Sequence, residues 1–168
     1  MRPQPNTYPP YFEKYIALIN EETVIDALQN NLQYLKNFAA FIPKEKENYA
    51  YADGKWTIKQ VIHHTIDTER ILSYRALRFA RKDPQALLSF DENLYVANTD
   101  LSNYCINDVV TEFETVRAAT IALYKTFNSQ TLLNMGNMAI GQVSVVATGF
   151  FMCGHNLHHL NVVKERYL

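Results

Sequence analysis

Cysteine is scarce in this chain, and so are helix breakers beyond its first ten residues. The two cysteines among 168 residues, Cys105 and Cys153, form no CxxC pair. That excludes a disulfide framework and a cysteine-based zinc site, and it points to a reduced, cytoplasmic protein. Four of the six prolines lie in the first ten residues (Pro3, Pro5, Pro9, Pro10), so only Pro43 and Pro84 remain further on. No charge of one sign dominates: 16 Lys+Arg stand against 17 Asp+Glu, a net charge of −1. The basic excess of a nucleic-acid binder is therefore missing. Long hydrophobic runs are missing too. The longest mostly apolar stretch, Val143 to Cys153, is broken by Ser144, Thr148 and Gly149, and it falls well short of the ~20 apolar residues of a membrane span. Met1 is followed by a proline-rich, aromatic and polar stretch with no apolar signal-peptide core, so no signal peptide is expected.

What is present is the composition of a globular domain, with 48% hydrophobic and 20% charged residues. A chain of this length buries roughly 70% of its unfolded surface, enough for one good core. The gaps between prolines and glycines leave four long segments, roughly 21–42, 57–82, 107–128 and 143–166. Each reads as helix. Val24, Leu28, Leu32, Leu35 and Phe38 recur at three- and four-residue steps in the first. The second opens on Thr57-Ile58-Lys59-Gln60, a capping-box pattern. The third begins near Asn107 or Asp108, both good caps, and carries Val110, Phe113, Val116, Thr120 and Leu123 on one stripe. The fourth begins near Ser144 and ends with Lys164 and Arg166, where cations suit the helix dipole. No run alternates with period two, so no strand is expected. The pattern predicts an all-α four-helix bundle over 21–168, preceded by an N-terminal arm, 1–20, whose proline-rich first ten residues are extended. The connection from Asp83 to Ile106, between the second and third helices, is long enough for a short helical piece of its own.

The histidines are the most uneven feature. All five fall in two clusters, His63-His64 and His155, His158, His159. At about 100° per residue, His64 lies at the inner edge of the stripe formed by Val61, Thr65, Thr68, Leu72, Arg75 and Phe79. His63 points away from that stripe. On the last helix His155 and His159 share one edge, and His158 falls outside it. Three histidines therefore face inward, and His63 and His158 are expected in solvent. His155 and His159 have the i, i+4 spacing that aims two imidazoles at one ion. His64 completes the set if the second and fourth helices are neighbours. Three neutral imidazoles suit Zn, Ni, Cu or Fe and leave a position open, the mark of a reactive site. The spacing excludes other metal enzymes. The span His155-Asn156-Leu157-His158-His159 lacks the glutamate of His-Glu-x-x-His. No histidine has a glutamate three residues before it, as a di-iron bundle requires.

Two motifs carry a resemblance. One runs from Trp56-Thr57-Ile58-Lys59-Gln60-Val61-Ile62-His63-His64-Thr65-Ile66-Asp67-Thr68-Glu69-Arg70 through Tyr74-Arg75-Ala76-Leu77-Arg78. The other is Gly154-His155-Asn156-Leu157-His158-His159-Leu160, with Phe90-Asp91-Glu92-Asn93 between them. Over nearly the whole chain these residues resemble the DinB/YfiT-like superfamily of metal-binding four-helix bundles. The resemblance implies that His64, His155 and His159 hold one divalent metal, nickel or zinc. It also implies either transfer of a low-molecular-weight thiol such as bacillithiol or metal-dependent hydrolysis, with a non-catalytic, stress-related metal-binding role as the third reading. It implies a homodimer as well, to which the many tyrosines and phenylalanines add weight. Relatives often carry an acidic residue where this chain has Asn156, which removes that position as a base.

Three neighbours of the trio are candidates for roles of their own. Asp67 is placed to orient a ligand imidazole or to pair with Arg70 or Arg78. Arg75 points into an apolar stripe and needs a partner, either Glu112 or Glu114 or an anionic substrate. Trp56 reads as a packing residue at the start of its helix. Cys153, away from the ligand edge, and Cys105, in a loop, are not expected to supply sulfur, so any thiol comes from solution.

Overall fold

The computed structural model describes residues 1–85 and 87–168. Four long helices form the bundle: α2 (Val24–Ala39), α3 (Ile58–Ala80), α5 (Ile106–Tyr124) and α7 (Val145–Arg166). Short helices α1 (Glu13–Ile16), α4 (Glu92–Ala97) and α6 (Ser129–Leu132) lie in the connections, and a hairpin of β1 (Met135–Met138) and β2 (Gly141–Ser144) precedes α7. Each of α2 and α3 packs on both α5 and α7. The helices adjacent in sequence, α2 and α3, are thus diagonal, while α3 and α7, which carry the histidines, are neighbours.

Local chemistry sets the ends. Thr57 Oγ1 accepts from the Gln60 backbone N–H at 3.3 Å, and Gln60 Oε1 accepts from that of Thr57 at 2.8 Å, the reciprocal box the sequence predicts. Ser144 Oγ accepts from the Ala147 N–H and starts α7. At α5 the cap is Cys105, and Asp108 reaches back to its N–H at 2.8 Å instead of capping the helix itself. The connection carries the expected short helix, α4. The buried Lys59 donates to the carbonyls of Leu101 and Tyr104, which holds the end of the connection on α3.

Two expectations are corrected. Residues 1–20 are not an arm: they form short helical turns that bury Phe12, Tyr15, Ile16 and Ile19 in the core. Residues 135–144 are not loop: they pair antiparallel as the hairpin, with Met138 opposite Gly141. Gly136 makes this possible, because a Cβ there would sit 1.8 Å from the Phe79 ring of α3.

The core has two apolar clusters, one around Phe12, Leu28, Phe79 and Phe150, the other around Leu35, Ile62, Phe113 and Leu160. A buried polar network ties the helices together. Arg117 of α5 donates to both carboxylate oxygens of Glu69 on α3 at 2.8 Å, and to the Leu28 carbonyl and Asn31 Oδ1 on α2. Asn31 in turn donates to the Cys153 carbonyl on α7. No helix among the described residues is long and apolar enough to cross a membrane.

Candidate metal centre

The packing of α3 against α7 brings three histidines from two distant parts of the sequence to one place. The His64 ring lies 5.1 Å from that of His155 and 5.0 Å from that of His159, centroid to centroid. His155 and His159, one turn apart on α7, face each other with Nε2 atoms 3.1 Å apart. One ring nitrogen from each of the three lies within 4.8 Å of the others. The register is fixed by a buried bond from Asn156 Nδ2 to Thr65 Oγ1 at 3.0 Å. Those two residues follow His155 and His64 in sequence, so Asn156 aligns the two helices beside the histidines. Gly154 has a matching role. A Cβ there would fall 2.1 Å from the Tyr15 carbonyl oxygen, so its absence lets the N-terminal turn cross α7 beside the histidines.

The electrostatics keep the trio neutral. Burial pushes the His64 imidazole down to about 4, against the opposing charges of Glu92 and Asp67. It pushes His159 down to about 3 and His155 well below the ordinary imidazole range, and the neighbouring histidines add to both. Neutral imidazoles are the form that binds metal. Two nitrogens each about 2.1 Å from one ion, at a tetrahedral or octahedral angle, lie roughly 3.0–3.4 Å apart. The 3.1 Å between His155 and His159 falls in that interval. The donor set therefore fits a divalent transition metal.

The trio opens on a cavity of about 380 Å³. Its walls come largely from segments whose part in the site the sequence did not show. Tyr11, Phe12 and Tyr15 come from the N-terminal turn, Ser89, Phe90 and Glu92 from the connection, and Met138, Ala139 and Ile140 from the hairpin. Glu92 is the one carboxylate among the described lining residues. No local signal distinguished it, because it is an exposed acid at the start of a short helix.

The other sequence candidates are distributed as follows. Asp67 lies 3.7 Å from His63 and 3.4 Å from Arg70 and does not line the cavity. His63 is not in solvent: it is buried between Asp67 and Glu112, because α5 covers a second face of α3 beside the one that meets α7. His158 is half-buried on the cavity wall, with its ring perpendicular to Tyr15 at 5.3 Å. Arg75 pairs with neither expected acid. Glu112 is taken by Arg70 at 2.7 Å and Glu114 by Lys36 at 2.8 Å, whereas Arg75 lines the cavity. Trp56 does more than pack, since its ring sits 4.9 Å from that of His64 on the cavity wall. Cys153 is fully buried and Cys105 caps α5, and neither lines the cavity.

A helical bundle whose cavity wall carries a histidine trio able to hold a metal ion defines the class of protein. Within that class the chain belongs to the DinB superfamily, whose family model matches residues 26–163. It is 24% identical over 122 residues to a protein of Oceanobacillus iheyensis named "Putative metal-dependent hydrolase", a match covering 71% of this chain and 69% of that protein. Its fold is similar to that of YfiT from Bacillus subtilis, described as a probable metal-dependent hydrolase with an unusual four-helix bundle topology. That likeness has a TM-score of 0.74 at 17% identity and covers 98% of this chain and 90% of the other.

Proposed function

We propose that the chain is a metal-dependent enzyme that activates a low-molecular-weight thiol, such as bacillithiol, for transfer to an electrophile, with His64, His155 and His159 holding its metal. The observation that carries this reading is the donor set in its setting. Three neutral imidazoles converge at an aromatic, mostly apolar cavity with Glu92 as the one lining carboxylate among the described residues. A nickel or zinc ion held by these three neutral donors would supply an open position of undiminished +2 charge and would favour the deprotonated form of a soft thiol at neutral pH.

The chain's own groups supply the remainder. Glu92 takes the thiol proton and passes it to solvent at the cavity mouth. The aromatic walls, among them Tyr15, Trp56 and Phe151, exclude water and hold the apolar body of the electrophile. The sulfur forms its bond to the electrophilic carbon as the bond from that carbon to the leaving group breaks, and the leaving group departs with the electron pair. Cys153 is no source of the sulfur: burial pushes its thiol up to about 12.

Hydrolysis is the second reading. It is favoured by the position of Glu92, whose charge acts on His64, and by the descriptions of the relatives. In it Glu92 takes its proton from an attacking water.

A thiol panel with monochlorobimane or chlorodinitrobenzene separates the two readings. Thiol-dependent consumption of the electrophile is expected in metal-loaded protein, abolished by chelation and slowed roughly a hundredfold or more in Glu92→Gln. Metal-dependent cleavage of a simple ester without any thiol transfers the assignment to hydrolysis. Tight metal binding with neither reaction reduces it to a metal-binding protein.

A further inference from the structure

The cavity holds a cation that the metal centre does not use. Arg75 lies three turns beyond His64 on α3, about 16 Å along the axis, and is only 9% exposed. One of its terminal nitrogens donates to the Leu88 carbonyl at 2.6 Å, and the other reaches only Met138 Sδ, at 3.8 Å. No carboxylate among the described residues forms an ion pair with it; Glu112 and Glu114 of α5 are engaged by Arg70 and Lys36. Burial lowers its pKa with no acid opposing the shift, yet a guanidinium remains charged at neutral pH. A buried cation facing neutral acceptors is expensive unless something brings it an anion. Between Arg75 and His64 the same face of α3 carries Leu72 and Thr68. The Thr68 hydroxyl, on a residue 5% exposed, has no hydrogen-bond partner among the described residues.

We propose that Arg75 is the carboxylate-recognition residue of this cavity. The small molecule bound there carries one carboxylate on the guanidinium and an apolar body along Leu72 and the aromatic wall. Its middle is hydrogen-bonded by Thr68, and its reactive end lies at the histidines. The charge count selects a monoanion. No lysine and no second arginine is among the lining residues, so a doubly charged phosphate would leave one charge unpaired in apolar surroundings. A planar fork matched to a planar carboxylate gives two parallel charge-assisted bonds. Glu92 does not occupy that role, since its charge bears on His64 and not on Arg75. Only the assignment of the reactive end rests on the proposed function; the carboxylate pairing does not involve the metal.

Trp56 is the chain's only tryptophan and lines the cavity, so its emission reports occupancy. The test is a fluorescence titration of the full-length protein with 4-phenylbutanoate and with its uncharged analogue 4-phenylbutanamide, at neutral pH, first stripped of metal by chelation and then zinc-loaded. Metal-free protein is expected to bind the acid roughly tenfold to a hundredfold more tightly than the amide. Arg75→Gln should erase that preference, weakening the acid far more than the amide. Arg75→Lys, which keeps the charge but not the fork, should retain only part of the preference. Equal binding of acid and amide, no response to the acid, or a preference that survives Arg75→Gln overturns the proposal. Should Arg75→Gln fail to fold, the wild-type comparison and Arg75→Lys decide in the same way. Metal content of the same samples separates the two claims. An acid preference in protein that never takes up metal keeps the carboxylate site and removes the metal reading, whereas bound zinc without an acid preference does the reverse.

Discussion

At the centre of the bundle Arg117 lays its guanidinium on both oxygens of Glu69 and spends its remaining donors on a carbonyl and an amide of α2. On the cavity wall Arg75 touches one carbonyl and a sulfur. Both are buried arginines on helices of one domain. The first is partnered from within the fold and joins α5 to α3 and α2, and through Asn31 to α7; the second is left with unused donors facing an open space. The histidines divide in the same way. His63 is enclosed by Asp67 and Glu112, whereas His64, His155 and His159 turn their nitrogens toward one another. Residue type does not distinguish a structural group from a functional one here. What distinguishes them is whether the fold supplies the partners.

Breaking the partnered network should have the largest effect on stability. Removing one member of a buried pair strands the other, so Arg117→Met or Glu69→Gln should cost about 3–5 kcal/mol in denaturant unfolding. Arg75→Gln strands no charged partner, only the Leu88 carbonyl, and should stay within about 1 kcal/mol of the parent; an equal loss at both arginines would erase the contrast.

A pH-dependent effect follows from the buried, neutral trio. With His64 held at about 4 and His159 at about 3, the unfolded chain takes up protons near pH 6.5 that the folded, metal-free chain does not take up until near pH 4. Stability should therefore fall as pH is lowered across that window, seen as a falling Tm, and the double variant His64→Ala/His159→Ala should flatten the slope. A Tm independent of pH between those limits would show that these imidazoles are not buried as neutral bases.

The smallest effect concerns the thiols. N-ethylmaleimide should modify Cys105 in the native protein and leave the fully buried Cys153 unmodified. Equal labelling of both would place Cys153 within reach of solvent.

The helices were legible because their signals are local. Thr57 with Gln60 and Ser144 before Val145 mark starts that the structure keeps. The trio was legible because a helical phase is also a local property. Phase failed at His63, since it assumes one face in solvent, and α3 lies between α5 and α7. The hairpin was not legible, because Met135 to Ser144 lacks alternating β-branched residues and owes its place to Gly136 against Phe79. Phe12 and Tyr15 sit in a segment that its prolines led us to read as an arm, yet these aromatics wall the cavity. Glu92 and the missing partner of Arg75 are properties of packing alone, which no spacing along one chain records.

Elemental analysis of the purified protein after incubation with excess Zn or Ni at neutral pH tests the central claim most directly, on the parent chain and on single alanine variants of all five histidines. The account predicts about one divalent transition metal per chain in the parent, His63→Ala and His158→Ala, with most of it lost in His64→Ala, His155→Ala and His159→Ala. A parent protein that takes up no metal, or metal retained undiminished in all three trio variants, would contradict it.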